Sequence, residues 1–351
     1  MIIQLKIGST IRDFVFDTGA SVIFDDDFVS TLDVQDLGKI KTVDSNNKKK
    51  YKQYVKMEKI NIKNVSFYDI VVGVSDLDAL NTATCLNISG IIGANIMNKC
   101  IWQIDYENQK IVFTNNRDSL SLSGKEQVIN FSSIGKGVPT IPLYADGSYW
   151  GEVIIDTGSN KGISINENYL LDSIKFVENH GYSLGLSSTR KSIKKTAIIP
   201  SIELNRVFSL KDQAISFDKK RTFGLIGNGF LRNYKMTIDW MNQQIILTEN
   251  EKILGTFQKD FGFSLLFTDN DIRIGGIRIG SEAYKKGLRL NDVVIGINNI
   301  IFNKNIQEKY CEYLESRDNW KEAVVTLRKG NKEVEALIQE SDWRELLKKK
   351  K

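Results

Sequence analysis

The sequence contains a single histidine, His180, and only three cysteines, Cys85, Cys100 and Cys311. A zinc site of the His-Glu-x-x-His type needs two histidines, so that class of metallopeptidase is excluded. A serine or cysteine triad would have His180 as its only base, and the polar residues around it predict a surface loop instead. Three widely spaced cysteines predict neither a disulfide framework nor a CxxC metal knuckle. We expect no metal and no cofactor, which leaves chemistry performed by carboxylates.

Long apolar runs are also missing, since segments such as 69–74 fall far short of the ~20 residues of a membrane span. Charge is nearly balanced, with 48 basic and 43 acidic residues and a net charge of +5. That balance does not favour a nucleic-acid partner. Hydrophobic residues make up 41% of the 351, which is enough for two or three domains with buried cores. We therefore expect neither a transmembrane segment nor nucleic-acid binding.

The chain contains an internal repeat. The tripeptide Asp-Thr-Gly occurs at 17–19 and again at 156–158, each time after a short apolar segment typical of a strand. The segment 90–114 aligns without a gap on 224–248, and each copy opens with a Gly-apolar-apolar-Gly element. The chain is therefore predicted to hold two copies of one β-rich unit.

The second copy has an extra leading strand, 127–131, that the first copy lacks. We expect an in-frame strand upstream of Met1, behind an export signal that the present sequence does not include. On that expectation the protein is exported or belongs to the cell envelope. If Met1 is the true start, the sequence predicts a cytoplasmic protein.

The duplicated tripeptides predict a pair of carboxyl groups. If the copies pack face to face, Asp17 and Asp156 meet, and two adjacent carboxyls share one proton. The ionised member can take a proton from water while the protonated member donates to a substrate carbonyl oxygen. Gly19 and Gly158 are expected to let the loop amides turn towards the carboxylates. Ser159 supplies a hydroxyl that the first copy lacks, which predicts Asp156 as the ionised base and Asp17 as the acid.

The loops at 16–21 and 155–160 resemble the active-site loops of pepsin-like aspartic peptidases, in their bacterial two-lobed, retropepsin-related form. The elements at 90–93 and 224–227 resemble those that cross behind these loops. The resemblance covers roughly 1–250. It implies a mainly β fold with two pseudo-twofold-related acid-protease lobes and a polypeptide substrate.

The same resemblance implies roles for particular residues. Asp17 and Asp156 are catalytic, and Thr18 and Thr157 brace the two loops by hydrogen bonds across the interface. A flap is expected to close over the cleft. In the first copy it is a hairpin with a polar tip at 44–47, and its candidates for substrate contact are Tyr51 and Tyr54. The equivalent in the second copy is 182–190. A plain exposed hairpin remains the alternative for the first of these segments.

The C-terminal third predicts short strands and one helix. The string 279–294 resembles the middle of bacterial PDZ domains, a small β-barrel fold with one main helix. A four-residue segment resembles the loop with which PDZ domains bind a peptide carboxylate: Phe261, Gly262, Phe263 and Ser264. Asn291 stands where that family usually has glycine, and asparagine tolerates the left-handed conformation. The resemblance implies that C-terminal peptides bind there, with a packing or gating role as the alternative.

The sequence thus predicts three domains, a first lobe over 1–125, a second lobe over 126–250 and a PDZ-like domain over 255–345. The function that it favours is an aspartic endopeptidase with water as the nucleophile. The alternative is a non-catalytic peptide-binding or scaffold protein that keeps the peptidase fold.

Overall fold

The computed structural model describes residues 1–7, 10–43, 49–185, 188–252, 259–268 and 271–348 of the chain. Over these residues the protein is mainly β, with four sheets of seven, five, fourteen and two strands. The expectation of a mainly β chain is confirmed.

The strands of the first repeat are β1 Ile2–Ile7, β2 Thr10–Asp17, β3 Ile23–Asp25, β4 Gln35–Val43, β5 Lys49–Ile62, β6 Val65–Ser75, β7 Ile88–Gly93, β8 Ile101–Asp105 and β9 Lys110–Thr114. Its helices are α1 Asp26–Ser30, α2 Asp78–Thr84 and α3 Ala94–Met97, with a 3-10 helix at Arg117–Ser119. Buried and less buried side chains alternate along strands of this repeat. In β2, Phe14 and Phe16 are fully buried in the core, while Asp13 and Val15 before them are only partly buried.

The strands of the second repeat are β10 Gln127–Asn130, β11 Ser132–Ile134, β12 Val138–Ala145, β13 Ser148–Asp156, β14 Ile163–Asn166, β15 Val177–Gly185, β16 Ser188–Leu204, β17 Phe208–Asp218, β18 Gly224–Gly227, β19 Tyr234–Asp239 and β20 Gln244–Glu249. A 3-10 helix at Glu167–Tyr169 and α4 Asn228–Leu231 complete it. Corresponding strands pair alike in the two repeats. Strand β2 runs parallel to β7 with Asp17 opposite Gly93, and β13 runs parallel to β18 with Asp156 opposite Gly227.

The five-stranded sheet joins the repeats through an antiparallel pair, β8 and β19. At its centre Gln103 lies opposite Thr237, its own counterpart in the repeat, and the Gln103 Nε2 donates to Thr237 Oγ1 at 3.1 Å. In the repeat alignment Trp102 corresponds to Met236, and Ile104 corresponds to Ile238. Trp102 lies opposite Ile238 and Ile104 lies opposite Met236, so exchanging the two repeats leaves the pairing unchanged. The register of β8 and β19 is therefore symmetric about the pair Gln103 and Thr237.

The C-terminal region contains β21 Lys259–Asp260, β22 Phe263–Phe267, β23 Ile272–Arg278, β24 Val293–Ile297, β25 Ile300–Ile301, β26 Glu322–Lys329, β27 Lys332–Gln339 and β28 Ser341–Asp342. Its helices are α5 Glu282–Lys285, α6 Ile306–Ser316 and α7 Glu345–Lys348, with a 3-10 helix at Arg317–Asn319. This region has its own apolar core between Leu265 and Ile338, whereas one continuous core extends through both repeats, from Leu5 to Leu247.

A strand pairing and a disulfide are among the connections that hold the C-terminal region against the repeats. Strand β15 pairs with β23, with His180 opposite Ile277. A disulfide joins Cys85, which follows α2, to Cys311 in α6, with 5.5 Å between their Cα atoms. The sequence predicted no disulfide framework, and it did not identify this single pair. The two residues are 226 positions apart, so their proximity depends on tertiary packing. Cys100 is buried and free.

Replacing both Cys85 and Cys311 by serine is expected to lower the free energy of unfolding by about 2–4 kcal/mol, because the cross-link closes a long loop in the unfolded chain. Differential scanning calorimetry with and without reductant measures the effect. The wild-type transition should shift down with reductant and the double variant should not respond. Thiol titration of the denatured wild type should detect one free thiol, and Cys100→Ala should remove it without lowering stability to the same extent. Three free thiols would contradict the disulfide.

Within the described ranges, no helix is both long and apolar enough to cross a bilayer. The same residues contain no group of three or more His, Cys, Asp or Glu side chains placed to hold a metal ion.

Candidate active site

The two Asp-Thr-Gly loops are locked together by their threonines. The Thr18 amide donates to Thr157 Oγ1 and the Thr157 amide donates to Thr18 Oγ1, each at 3.1 Å. Each hydroxyl in turn donates to a strand carbonyl of the other repeat, Thr18 Oγ1 to Ile155 at 2.6 Å and Thr157 Oγ1 to Phe16 at 2.9 Å. Both threonines are completely buried. Four reciprocal bonds therefore fix the ends of β2 and β13 against each other.

This lock brings Asp17 and Asp156 into side-chain hydrogen-bond contact. The Gly19 amide donates to Asp17 Oδ1 at 2.7 Å, and the Gly158 amide donates to Asp156 Oδ1 at 2.9 Å. Each carboxyl also lies over the glycine of the opposite loop. A Cβ added at Gly158 would lie 2.4 Å from the Asp17 Cγ, and one at Gly19 would lie 2.8 Å from the Asp156 Cγ.

That geometry gives a different reason for the glycines from the turn that the sequence suggests. Neither Gly19 nor Gly158 is among the residues with positive φ. Glycine is required because the partner carboxyl occupies the space of a side chain. The elements behind the loops follow the same logic, since a Cβ at Gly93 would lie 2.3 Å from the Ala20 carbonyl oxygen.

The two carboxyls differ in their tendency to hold a proton. Burial, and then the adjacent Asp156 charge, raise the pKa of Asp17 well above its ordinary value. Burial also raises the pKa of Asp156, but hydrogen bonds from the Asp17 side chain and the Gly158 amide, together with the positive charge of Arg221, oppose the rise. The pair therefore shares one proton, and the positive charge of Arg221 next to Asp156 favours Asp156 as the ionised member.

Ser159 supports this assignment by a route other than the one predicted. Its backbone amide stabilises the Asp156 carboxylate. Its hydroxyl instead accepts a hydrogen bond from the Lys161 amide at 3.3 Å. The side chain that distinguishes the two loops thus shapes the loop rather than the charge of the carboxyl.

Two further groups near the pair were not found from the sequence. The Tyr106 hydroxyl donates to Asn228 Oδ1 at 2.8 Å, and Asn228 Nδ2 donates to the Thr157 carbonyl at 2.7 Å. Burial, and then the Asp156 charge, raise the pKa of Tyr106, so it remains a neutral hydrogen-bond donor. Arg221 is the second group, and its charge acts on Asp156 from the turn after β17. Neither residue lies in a motif, so only the tertiary contacts reveal them.

The predicted flap hairpin is formed by β4 and β5, while its tip at 44–48 lies outside the described residues. Tyr51 is 72% exposed and lies opposite Lys41. Tyr54 is half-buried, with the Lys136 ammonium 5.4 Å from its ring centroid. Among the described residues, neither tyrosine forms a hydrogen bond with the carboxyl pair. The corresponding hairpin of the second repeat is β15 with β16.

The remaining predictions concern the strand that pairs with the C-terminal region and that region itself. His180 is not in a surface loop as predicted, because it is a half-buried residue of β15 and contacts Glu178 at 3.2 Å. Asn291 adopts the left-handed conformation predicted for it, with φ of 72°.

In the predicted carboxylate loop, the Gly262 amide already donates to Asp260 Oδ1 at 2.8 Å. Phe261 and Phe263 pack partly buried against the C-terminal core, and Ser264 lies exposed in β22. The loop therefore offers a peptide carboxylate fewer free amides than the sequence suggests.

Comparison with known proteins agrees with the first of the two loops. Residues 3–96 match the family model described as aspartyl protease. The matched segment contains Asp17 and its loop together with the Gly-apolar-apolar-Gly element at 90–93. No curated protein matches the chain. The family match supports peptidase activity in general terms and a polypeptide substrate.

Proposed function

We propose that the protein is an aspartic endopeptidase in which Asp17 and Asp156 activate a water molecule for attack on a peptide bond. The observation that carries the proposal is the reciprocal threonine lock, which holds two carboxyls in contact at matched ends of two strands. A buried carboxyl pair of this kind holds one acid and one base at the same place. A scaffold protein without catalysis has no evident use for it.

The assigned protonation states give the mechanism. Ionised Asp156 accepts a proton from the bound water, whose oxygen attacks the substrate carbonyl carbon. Asp17 donates its proton to the carbonyl oxygen, which yields a neutral tetrahedral intermediate. Collapse of the intermediate breaks the carbon–nitrogen bond. In this step Asp156 gives the proton that it took from water to the leaving nitrogen, and Asp17 takes one from a hydroxyl of the intermediate, so both carboxyls return to their starting states.

The finer architecture belongs to the same proposal. The symmetric pairing of β8 with β19 and the matched registers around each aspartate support two lobes related by a pseudo-twofold axis. The separate core of the C-terminal region supports a PDZ-like domain beyond residue 255.

For that C-terminal domain we favour a role in positioning the peptidase over binding of free C-termini. The Gly262 amide is engaged by Asp260, β22 is contacted by α2, and the disulfide ties α6 to the first repeat.

The test is hydrolysis of a mixed peptide library between about pH 3 and pH 8, a range that begins below the ordinary pKa of aspartate. Mass spectrometry of the protein quenched during turnover should detect no covalent acyl-enzyme, because water attacks the peptide bond directly. A peptide with a statine residue, whose hydroxyl mimics the tetrahedral intermediate, should inhibit. Absence of cleavage across the range, with intact folding by circular dichroism, would reject the proposal.

A further inference from the structure

Beside the carboxyl pair, the second repeat carries a group of three cations, which we call the cationic cluster. It consists of Lys161 in the loop after Asp156, Lys194 on β16 and Arg221 in the turn between β17 and β18. The side chains of Lys161 and Lys194 are in hydrogen-bond contact, and the Arg221 charge acts on both lysines. Three positive charges from separate segments therefore converge at the edge of the proposed site.

The anions next to this cluster do not balance its charge. Asp218 is buried, with 3% of its surface exposed, and its Oδ2 accepts a hydrogen bond from Arg190 Nη2 at 2.9 Å. Its Oδ1 accepts from the Lys220 amide at 3.0 Å. Asp156 holds the negative charge of the carboxyl pair, and this charge offsets that of Arg221 rather than that of the two lysines. The charge of Asp218 is thus directed first to Arg190, and an excess of positive charge remains at the cluster.

Arg221 has capacity for a further acceptor. Its Nε is buried and has no hydrogen-bond partner. Its carbonyl accepts a hydrogen bond from Asn166 Nδ2 at 2.6 Å, which fixes the backbone of the turn. A buried guanidinium N–H without an acceptor is costly, and guanidinium groups bind carboxylates through several donors at once.

The cluster is not a requirement of the repeated fold. In the first repeat, the residue opposite Ile91 is Ile23, six positions after Asp17. In the second, the residue opposite Leu225 is Ser164, eight positions after Asp156. The second loop is therefore longer, and Lys161 lies in its extra length. The counterpart of Asp218 in the first repeat is the neutral Ser75, judged from the register of β3 and β14.

We propose that the cationic cluster binds a carboxylate of the substrate, so that the cleft selects chains with an acidic group beside the scissile bond. This inference rests on the proposed peptidase function and names its substrate class. The carboxylate is that of an aspartate or glutamate side chain or of a nearby chain terminus, and both would accept hydrogen bonds from the two lysines and Arg221.

The titration of Lys161 agrees with a site that is built for an anion. Desolvation by the packed protein around the ammonium group, and then the charges of Lys194 and Arg221, lower the pKa of Lys161 to about 7. The residue as a whole is nevertheless exposed to solvent. A bound carboxylate would offset the repulsion among the cations and restore the charged form of the lysine.

The test compares three peptides that differ near the scissile bond. The first has glutamate there and an amidated C-terminus, and the second is identical except that glutamine replaces the glutamate. The third is the glutamine peptide with a free C-terminal carboxylate close to the scissile bond. Wild-type kcat/KM should be about 10–100-fold higher for the glutamate peptide than for the amidated glutamine peptide, as expected for hydrogen bonds to charged groups. The third peptide shows whether a chain terminus serves as well.

Lys161→Met and Lys194→Met should bring the glutamate-to-glutamine ratio close to one, mainly by raising KM for the glutamate peptide. Lys194→Glu should reverse the preference, so that a fourth peptide with lysine in place of the glutamate is cleaved faster than the glutamate peptide. The matched control is Lys191→Met, an exposed position on the same strand and on its opposite face, which should keep the wild-type ratio. Equal cleavage of the glutamate and glutamine peptides by the wild type would overturn this inference and leave the peptidase function intact.

A binding measurement separates the two proposals. Statine peptides with glutamate or glutamine are titrated calorimetrically into the wild type and into Lys161→Met. Tighter binding of the glutamate form that Lys161→Met abolishes would support the cluster even if no peptide were hydrolysed. Identical affinities of the two forms for the wild type would reject it.

Discussion

Replacing Asp17 by asparagine is expected to abolish peptide hydrolysis and, at the same time, to stabilise the fold at neutral pH. Loss of the acid should lower kcat by about 10³-fold or more, since positioned acid–base groups contribute on this scale. Asp156→Asn should be equally inactive because it removes the base. The activity of the wild type should follow a bell-shaped pH profile, falling at low pH when Asp156 gains a proton and at high pH when Asp17 loses its own.

The stability effect follows from the raised pKa of Asp17. Since the folded chain holds this proton more tightly than the unfolded chain, wild-type stability is greatest below the ordinary pKa of aspartate and falls as the pH rises through the raised value. Asparagine cannot ionise and avoids that loss. The melting temperature of Asp17→Asn should exceed that of the wild type by an amount that grows from about pH 4 to about pH 7.

The matched control is Asp146→Asn, an exposed turn residue with φ of 48° that asparagine tolerates, and it should leave activity and melting temperature unchanged. Thermal melts and initial rates for the three variants complete the comparison. An active Asp17→Asn or Asp156→Asn enzyme would rule out the paired mechanism. Lower stability of Asp17→Asn at neutral pH would contradict the burial argument alone.

Replacing Thr18 or Thr157 by valine is expected to destabilise the protein by about 2–5 kcal/mol, although valine has nearly the same shape as threonine. Each change removes the hydroxyl that serves a buried amide and a strand carbonyl, both in the opposite repeat, and each such group left unpaired costs about 1–3 kcal/mol. The threonine amides and hydroxyls concerned are those of the reciprocal lock. Activity should fall as well, because the lock aligns the two carboxyls.

Denaturant titration and kcat measurements test this expectation. Thr140→Val is the control, since Thr140 is also buried but its hydroxyl donates a single bond, to the Ser132 carbonyl at 3.1 Å, away from the site. It should cost about 1 kcal/mol and leave kcat unchanged. If Thr18→Val and Thr157→Val behaved like this control in both measurements, the lock would have no special role.

The sequence was sufficient for the features that repeat or alternate. The duplicated Asp-Thr-Gly loops and the Gly-apolar-apolar-Gly elements are local motifs, and their equal order in two copies predicted the contact between Asp17 and Asp156. Strand positions were readable because side chains in a strand alternate between faces, as in β2, where Phe14 and Phe16 are buried and Val15 between them is partly exposed. The C-terminal third contains short strands and one main helix, α6, as its pattern predicted.

Other features depended on the tertiary structure. Cys85 meets Cys311 and Lys161 meets Lys194 only because distant segments pack together. The Ser159 hydroxyl could have faced the carboxylate by sequence alone, yet the course of the longer loop turns it to an amide. The periodicity of apolar residues indicates which face of a strand is buried. It does not indicate which side chains from distant parts of the chain pack against that face. Charge balance, cross-links and the protonation of the carboxyl pair are therefore decided by packing.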